Sequence, residues 1–244
     1  MKHVLAPLNA LAILIALAIV APLAQADDAA ADKAWASEVE VGAVVTTGNT
    51  KQQNFKVAAR ATLDSELFKH TASFDALRSS EDGTVTAEKY YTYYQGDYKL
   101  EGDHSLFGRI SYEDDRFSGY DYQTDATVGY SRSLINRENH QLRGDVGIGL
   151  RHSVPDMGDS TNEFITRLAA NYDWRISETA KFHQLLSVEI GDKNTITRSE
   201  SALQSKVNGN LAMKFSVNIK HQSDVPVGNE KTDTETALTL VYSF

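Results

Sequence analysis

The sequence predicts an all-β protein: a transmembrane, antiparallel, up-and-down β-barrel of about 12 strands, preceded by a signal peptide. Three observations predict it. Twelve segments alternate apolar and polar side chains at a period of two, the mark of strands that face two environments. Short turn signals alternate with mostly longer polar connections. The chain opens with a basic start, an apolar run and a small-residue cleavage motif.

Composition narrows the alternatives. A chain of 244 residues makes one large all-β domain or two small ones. With 24 Lys and Arg against 33 Asp and Glu, the formal charge is −9. That disfavours nucleic acid, which needs a clustered basic face. The mean hydropathy is −0.37, and the only long apolar run lies at the start, which excludes a helical membrane protein. Without cysteine there is no disulfide, thiolate metal site or cysteine nucleophile.

The elements follow in order. Met1-Lys2-His3, the apolar stretch from Leu8 to Val20 and Ala24-Gln25-Ala26 form the signal peptide, 1–26, cleaved after Ala26. An uncleaved anchor is the alternative; the run is short for one. Residues 27–35 form an acidic periplasmic leader ending at Trp35, and 36–244 form the barrel. The first strand spans about 36–47, with Val39, Val41, Ala43 and Val45 opposite Glu38, Glu40 and Gly42. Thr47-Gly48-Asn49-Thr50 turns it. The second spans about 51–63, with Phe55, Val57 and Leu63 opposite Lys56 and Arg60, and the third about 68–78. A polar loop is expected over Ser79 to Thr84. The fourth, about 87–100, carries tyrosines on both faces, and the fifth spans about 104–116. The sixth is about 120–133 and the seventh about 140–152, where Leu142, Val146, Ile148 and Leu150 oppose Arg143, Asp145 and Arg151. The eighth, about 162–176, sets Phe164, Leu168, Tyr172 and Trp174 against Arg167, Asp173 and Arg175. The ninth and tenth span about 181–192 and 198–208; Asn208-Gly209-Asn210 is a hairpin signal, and the eleventh spans about 211–221. In the last, Thr236, Leu238, Leu240, Tyr242 and Phe244 form one face. Segments three, five and ten are weakly marked, so the count lies within about 10–14.

Periodicity does not say which face looks inward. The export signal, the aromatics at strand ends and the final aromatic strand favour lipid outside and a polar lumen. The lumen is then lined by Glu38, Glu40, Lys56, Arg60, Arg143, Asp145, Arg151, Arg167, Asp173 and Arg175, with Asp97, Arg109, Asp125, Glu189 and Lys214 beside them. Two readings stand: an ion-paired hydrated interior, or a selectivity surface in which four arginines of strands seven and eight form a cationic wall. The expected partners are outer-membrane lipid and lipopolysaccharide, and the barrel-assembly machinery through the strand ending at Phe244.

Trp35 to Thr50 with its Thr-Gly-Asn-Thr turn, Phe55, Tyr90-Tyr91-Thr92-Tyr93-Tyr94, Gly129-Tyr130 and the ending Leu-Val-Tyr-Ser-Phe resemble the salt-induced outer-membrane protein family, an uncharacterised bacterial β-barrel family. The resemblance covers about 35–244 and implies the fold, the cell outer membrane of Gram-negative bacteria and a link to salt stress. It implies no enzymatic role and no binding residues.

Other chemistry has little support. The seven histidines form no metal-ligand spacing, and there is no nucleophile elbow or phosphate-cradling loop. No cofactor, metal or catalytic residue is expected. A hydrolase at the outer rim has one candidate set, His152 with Asp156 and Asp159. Acidic outer loops (Glu81-Asp82, Glu113-Asp114-Asp115, Asp156, Asp159) are candidates for divalent cations without the spacing of a calcium loop. The expected function is a porin-like small channel or envelope-integrity protein. The alternatives are a non-conducting structural barrel and the rim hydrolase.

Overall fold

The computed structural model describes residues 34–47, 53–81, 84–116 and 118–244. The expected signal peptide, leader residues 27–33 and Gly48-Asn49-Thr50 lie outside the described residues. Twelve antiparallel strands close into one barrel: β1 (Ala34–Thr47), β2 (Gln53–Asp64), β3 (Phe68–Glu81), β4 (Thr84–Lys99), β5 (His104–Asp115), β6 (Tyr120–Arg137), β7 (His140–Pro155), β8 (Thr161–Arg175), β9 (Ala180–Gly191), β10 (Thr195–Asn208), β11 (Leu211–Gln222) and β12 (Thr232–Ser243). Each strand pairs with its neighbours in sequence, and β1 pairs with β12 from Glu38↔Ser243 to Thr47↔Thr234. Closure leaves no edge, so the backbone of every strand is hydrogen-bonded without water. Among the described residues no helix is long and apolar enough to cross a membrane.

The barrel is inside out relative to a soluble one. Val128 is 62% exposed, Leu150 60% and Phe164 55%, whereas Arg151 is 1%, Glu189 2% and Glu113 4%. Large apolar side chains thus cover the outer wall and ionised groups fill the interior. Carbon outside and charge inside suit a barrel wrapped in hydrocarbon.

We call the end carrying Phe244 and the connections after β2, β4, β6, β8 and β10 the turn end, and the opposite end the loop end. Outward aromatics gather at the turn end: Phe68 with Tyr98, His140 with Trp174, and Tyr242 with Phe244, at ring separations of 5.3, 5.7 and 4.8 Å. This is the interfacial girdle of a membrane barrel. At the turn end Gly209, with φ of 50°, makes the β10–β11 turn that its Asn-Gly-Asn sequence predicts.

The structure corrects the expected loop lengths. Where a polar loop is expected over Ser79 to Thr84, Ser79 to Glu81 belong to β3 and Thr84 opens β4. Strands β6 and β7 also run beyond their expected ends, and the β9–β10 connection is only 192–194. Among the described loop-end residues, 223–231 form the long connection. A polar sequence does not break a strand while pairing still satisfies its backbone. Trp35, expected in the leader, lies in β1.

Candidate functional site

The lumen is the candidate site, and alternation builds it. Each strand turns its charged series inward because the other series is apolar and faces outward. In β5, Ser105, Phe107, Ser111 and Glu113 are buried on one face while Leu106, Ile110 and Tyr112 are exposed on the other. Phe107 is the large inward aromatic of β5, and it fits because β6 and β7 offer glycine opposite. A methyl group on Gly147 would come within 2.9 Å of its ring.

Two residues organise the charge. Glu189 on β9 accepts from Arg151 (β7, 3.1 Å), Arg167 (β8, 2.5 Å) and Arg198 (β10, 2.8 Å). Glu113 on β5 accepts from Arg198 (2.6 Å), Lys220 (β11, 2.8 Å) and Lys89 (β4, 3.4 Å). Strands β5 and β11 are six places apart in either direction round the ring, so the Glu113–Lys220 pair spans the lumen from wall to wall. Arg151, Glu189, Arg198, Glu113 and Lys220 form one continuous bar of alternating charge across the interior. Arg151 also holds Asp125 (2.9 Å) and Glu163 (3.4 Å) and donates to the Asn194 carbonyl (3.1 Å). The bar is thereby tied to the loop-end turn 192–194, whose Lys193 and Asn194 amides donate to Glu163.

A cavity of about 450 Å³ runs along the lumen, from Glu38 and Lys181 near the turn end to Asp115 and Asp233 at the loop end, and Glu113, Arg198 and Lys220 of the bar also line it. Glu38, Glu40, Lys56, Arg60, Arg143, Asp145, Arg167 and Asp173 line it. Most are paired. Glu38 meets Lys181 (3.2 Å), Glu40 meets Lys214 (2.9 Å), and Lys56 bridges Asp75 (2.9 Å) and Glu235. Arg143 bridges Asp145 (2.9 Å) and Asp97, and Asp173 accepts from His183 (2.9 Å). Arg60 has no ion-pair partner among the described residues. Arg151 sits in the bar rather than on the cavity wall. Arg175 is exposed at the turn-end rim, where with Lys181 and Lys206 it lines a second cavity of about 400 Å³.

The four arginines of β7 and β8 do not assemble into one wall. Arg151 and Arg167 converge on Glu189, Arg143 points to β4, and Arg175 stands at the rim. Self-neutralisation is the arrangement observed for the first three.

Sequence reasoning missed several lumen groups. Glu113, expected in an acidic outer loop, is an inward residue of β5; carrying the period of two on from Phe107 would have found it. Tyr91 and Tyr93 were undecided because both faces of β4 carry tyrosine. They face inward: Arg109 lies over the Tyr93 ring at 3.8 Å and donates to the Tyr91 hydroxyl at 2.7 Å. At the loop end, His152 bonds Asn162 through Nδ1 (2.8 Å) and stands 5.9 Å from the Tyr122 ring. Burial and the neighbouring Asp121 push the Asp156 carboxyl above its ordinary value. Among the described residues no group of three or more potential ligands could hold a metal ion.

A closed, twelve-stranded antiparallel barrel with an apolar outer wall and an ion-paired lumen defines the class: an outer-membrane-type β-barrel. The chain belongs to the family described as "Protein of unknown function, DUF481", which it matches over residues 39–244. A relative, "Uncharacterized protein YdiY" of Escherichia coli (strain K12), is 29% identical over 222 residues, covering 89% of this chain and 86% of the relative. Among solved structures, the NanC porin superposes with a TM-score of 0.57 at 8% identity, covering 84% of this chain and 98% of that one. The KdgM porin gives 0.47 at 12% identity, covering 85% and 99%. At 8% identity the likeness to NanC concerns the fold.

Proposed function

We propose that this protein is an outer-membrane channel of low conductance, narrowed near the loop end by the Glu113–Glu189 ion bar and passing only small ions when the bar rearranges. The bar itself carries the reading. Five charged groups meet across the full width of the lumen, a constriction that ions would have to pass. Such a set costs several kcal/mol per ion to desolvate unless each group is paired. Rings and clusters of charge at a constriction are how pores discriminate ions. The turn end faces the periplasm, the usual orientation of barrels with short turns.

Single-channel recording in planar bilayers tests it. Wild type should show small, infrequent steps. Glu113→Gln strips the negative charge from the point where Arg198, Lys220 and Lys89 converge. Their mutual repulsion should then widen the path, giving larger steps and a reversal potential shifted toward anions. Silence from both proteins would leave the second reading, a structural barrel. That reading is favoured by the same bar together with the Arg151–Asn194 tie that anchors it to the loop end.

Catalysis has no part in this proposal. Esterase activity lost on His152→Ala would revive the rim hydrolase. The link to salt stress belongs to the proposal as well, and rising protein abundance in high-salt medium would support it.

A further inference from the structure

The loop end of the barrel is covered. Residues 223–231 join β11 to β12, and the connection from β5 to β6 holds Ser118 and Gly119. These two connections stand six places apart in the ring of twelve, so they rise from opposite walls. They nevertheless touch. A methyl group on Gly119 would collide with the Asn229 side-chain amide and come within 3.0 Å of Pro226 Cγ. The tip of 223–231 therefore rests on the far rim, and the segment is a strap across the mouth rather than a peripheral loop. Polar groups at an open mouth would be wet. Ser118, Asn194 and Gln222 are instead buried.

The strap is held at its base by Asn194, in the β9–β10 turn. Asn194 Oδ1 accepts from the Ser223 hydroxyl (3.3 Å) and the Asp224 amide (3.2 Å), and its Nδ2 donates to Gln222 Oε1 (3.2 Å). Lys231 Nζ donates to the Ser223 carbonyl at 2.5 Å, which draws the two ends of the strap together. At the tip the Asn229 amide donates to the Pro226 carbonyl at 3.2 Å, and the seat is fixed by the Asp156 amide, which donates to the Gly119 carbonyl at 3.0 Å. Asn194 has a second role. Its own carbonyl accepts from Arg151, the end of the ion bar, at 3.1 Å. One residue thus carries the base of the strap and the end of the bar.

We infer that residues 223–231 are a gate over the loop-end mouth, latched through Asn194 to the ion bar, so that the strap lifts and the bar loosens together. Freed of Ser223 and Asp224, the 192–194 turn can move, and Arg151 with it. The latch is made of neutral hydrogen bonds and the bar of ion pairs, so the strap is the weaker barrier and opens first. Its consequence for ion flow rests on the channel proposed above; the cover itself does not.

The chain has no cysteine, so single thiols report the cover. Ser153 is buried on the inward face of β7, below the Gly119 seat: Tyr120 pairs with Pro155 and Gln123 with Ser153. Val227, fully exposed on the strap, supplies a reference thiol. The purified barrel in detergent, shown folded by its gel shift, is treated with a polymer-linked maleimide too bulky for the lumen. Ser153→Cys should react far more slowly than Val227→Cys. Adding Asn194→Ala should speed the Ser153→Cys reaction about tenfold, the effect of losing one or two hydrogen bonds from a local opening. Gly119→Ala, which pushes the tip off its seat, should do the same, and it serves alone if Asn194→Ala fails to fold. Equal rates at Ser153→Cys and Val227→Cys, or a Ser153→Cys rate unmoved by either variant, would overturn the inference. In planar bilayers the same variants should make steps more frequent. Unchanged steps beside faster labelling would overturn the gating. Silence of every variant beside faster labelling would count against the channel and support the cover.

Discussion

Arg151 shows how a single residue is held in this lumen. It is 1% exposed and reaches three carboxylates and a carbonyl. None of these charges is stable buried alone, yet together they replace most of the solvation that each has lost. Arg151→Met should therefore destabilise the barrel by about 3–5 kcal/mol, because Asp125, Glu163 and Glu189 lose a shared cation. Chemical unfolding in lipid vesicles measures this, with the gel shift as the check on folding. The same substitution at Arg175, exposed at the rim, should change stability by less than about 1 kcal/mol. That Arg151 faces inward was legible from its strand, where it alternates with Leu150. Its partners were not: they come from β6, β8 and β9, and no local pattern states which side chains meet across a lumen.

At the scale of the strand, alternation does two jobs at once. It gives hydrocarbon an apolar wall and collects charge on the opposite face. Val128, mid-strand on β6, is a direct probe: Val128→Arg should cost roughly 2–4 kcal/mol, as cations do at the midplane of a lipid-facing wall. An arginine at Tyr242, in the turn-end girdle, should cost no more than about 1 kcal/mol, because its head reaches the interface. Comparing their unfolding free energies in one lipid checks both. Strands with one charged series, such as β7, were read correctly. The faces of β4 stayed undecided, since tyrosine serves the girdle and the lumen equally, although Asp97 already marked the inward one. Loop ends were also misread over Ser79 to Thr84, where polar residues remain paired in a hairpin.

For the molecule as a whole, the closing pair β1–β12 is the decisive contact. It joins residues about 200 positions apart, while every other pairing is a sequential hairpin. Once closed, no edge offers a place for unfolding to begin, and the barrel should resist detergent until heated. Unboiled protein should therefore migrate differently from boiled protein on a denaturing gel, and identical migration would argue against a detergent-stable barrel. The Glu113–Lys220 contact also belongs to this scale. It exists only because β5 and β11 are set face to face by the number of strands in the ring.

The sequence by itself determined a barrel of about twelve strands, most of its short turns and the two faces of strands with one charged series, since each depends on residues within one strand or hairpin. The tertiary structure alone decided which charges meet: the bar through Glu189 and Glu113, and the dispersal of the four arginines. The physical reason is range. Alternation acts between neighbours along the chain, whereas ion pairing across a lumen acts between opposite walls, and only closure of the ring brings those walls together.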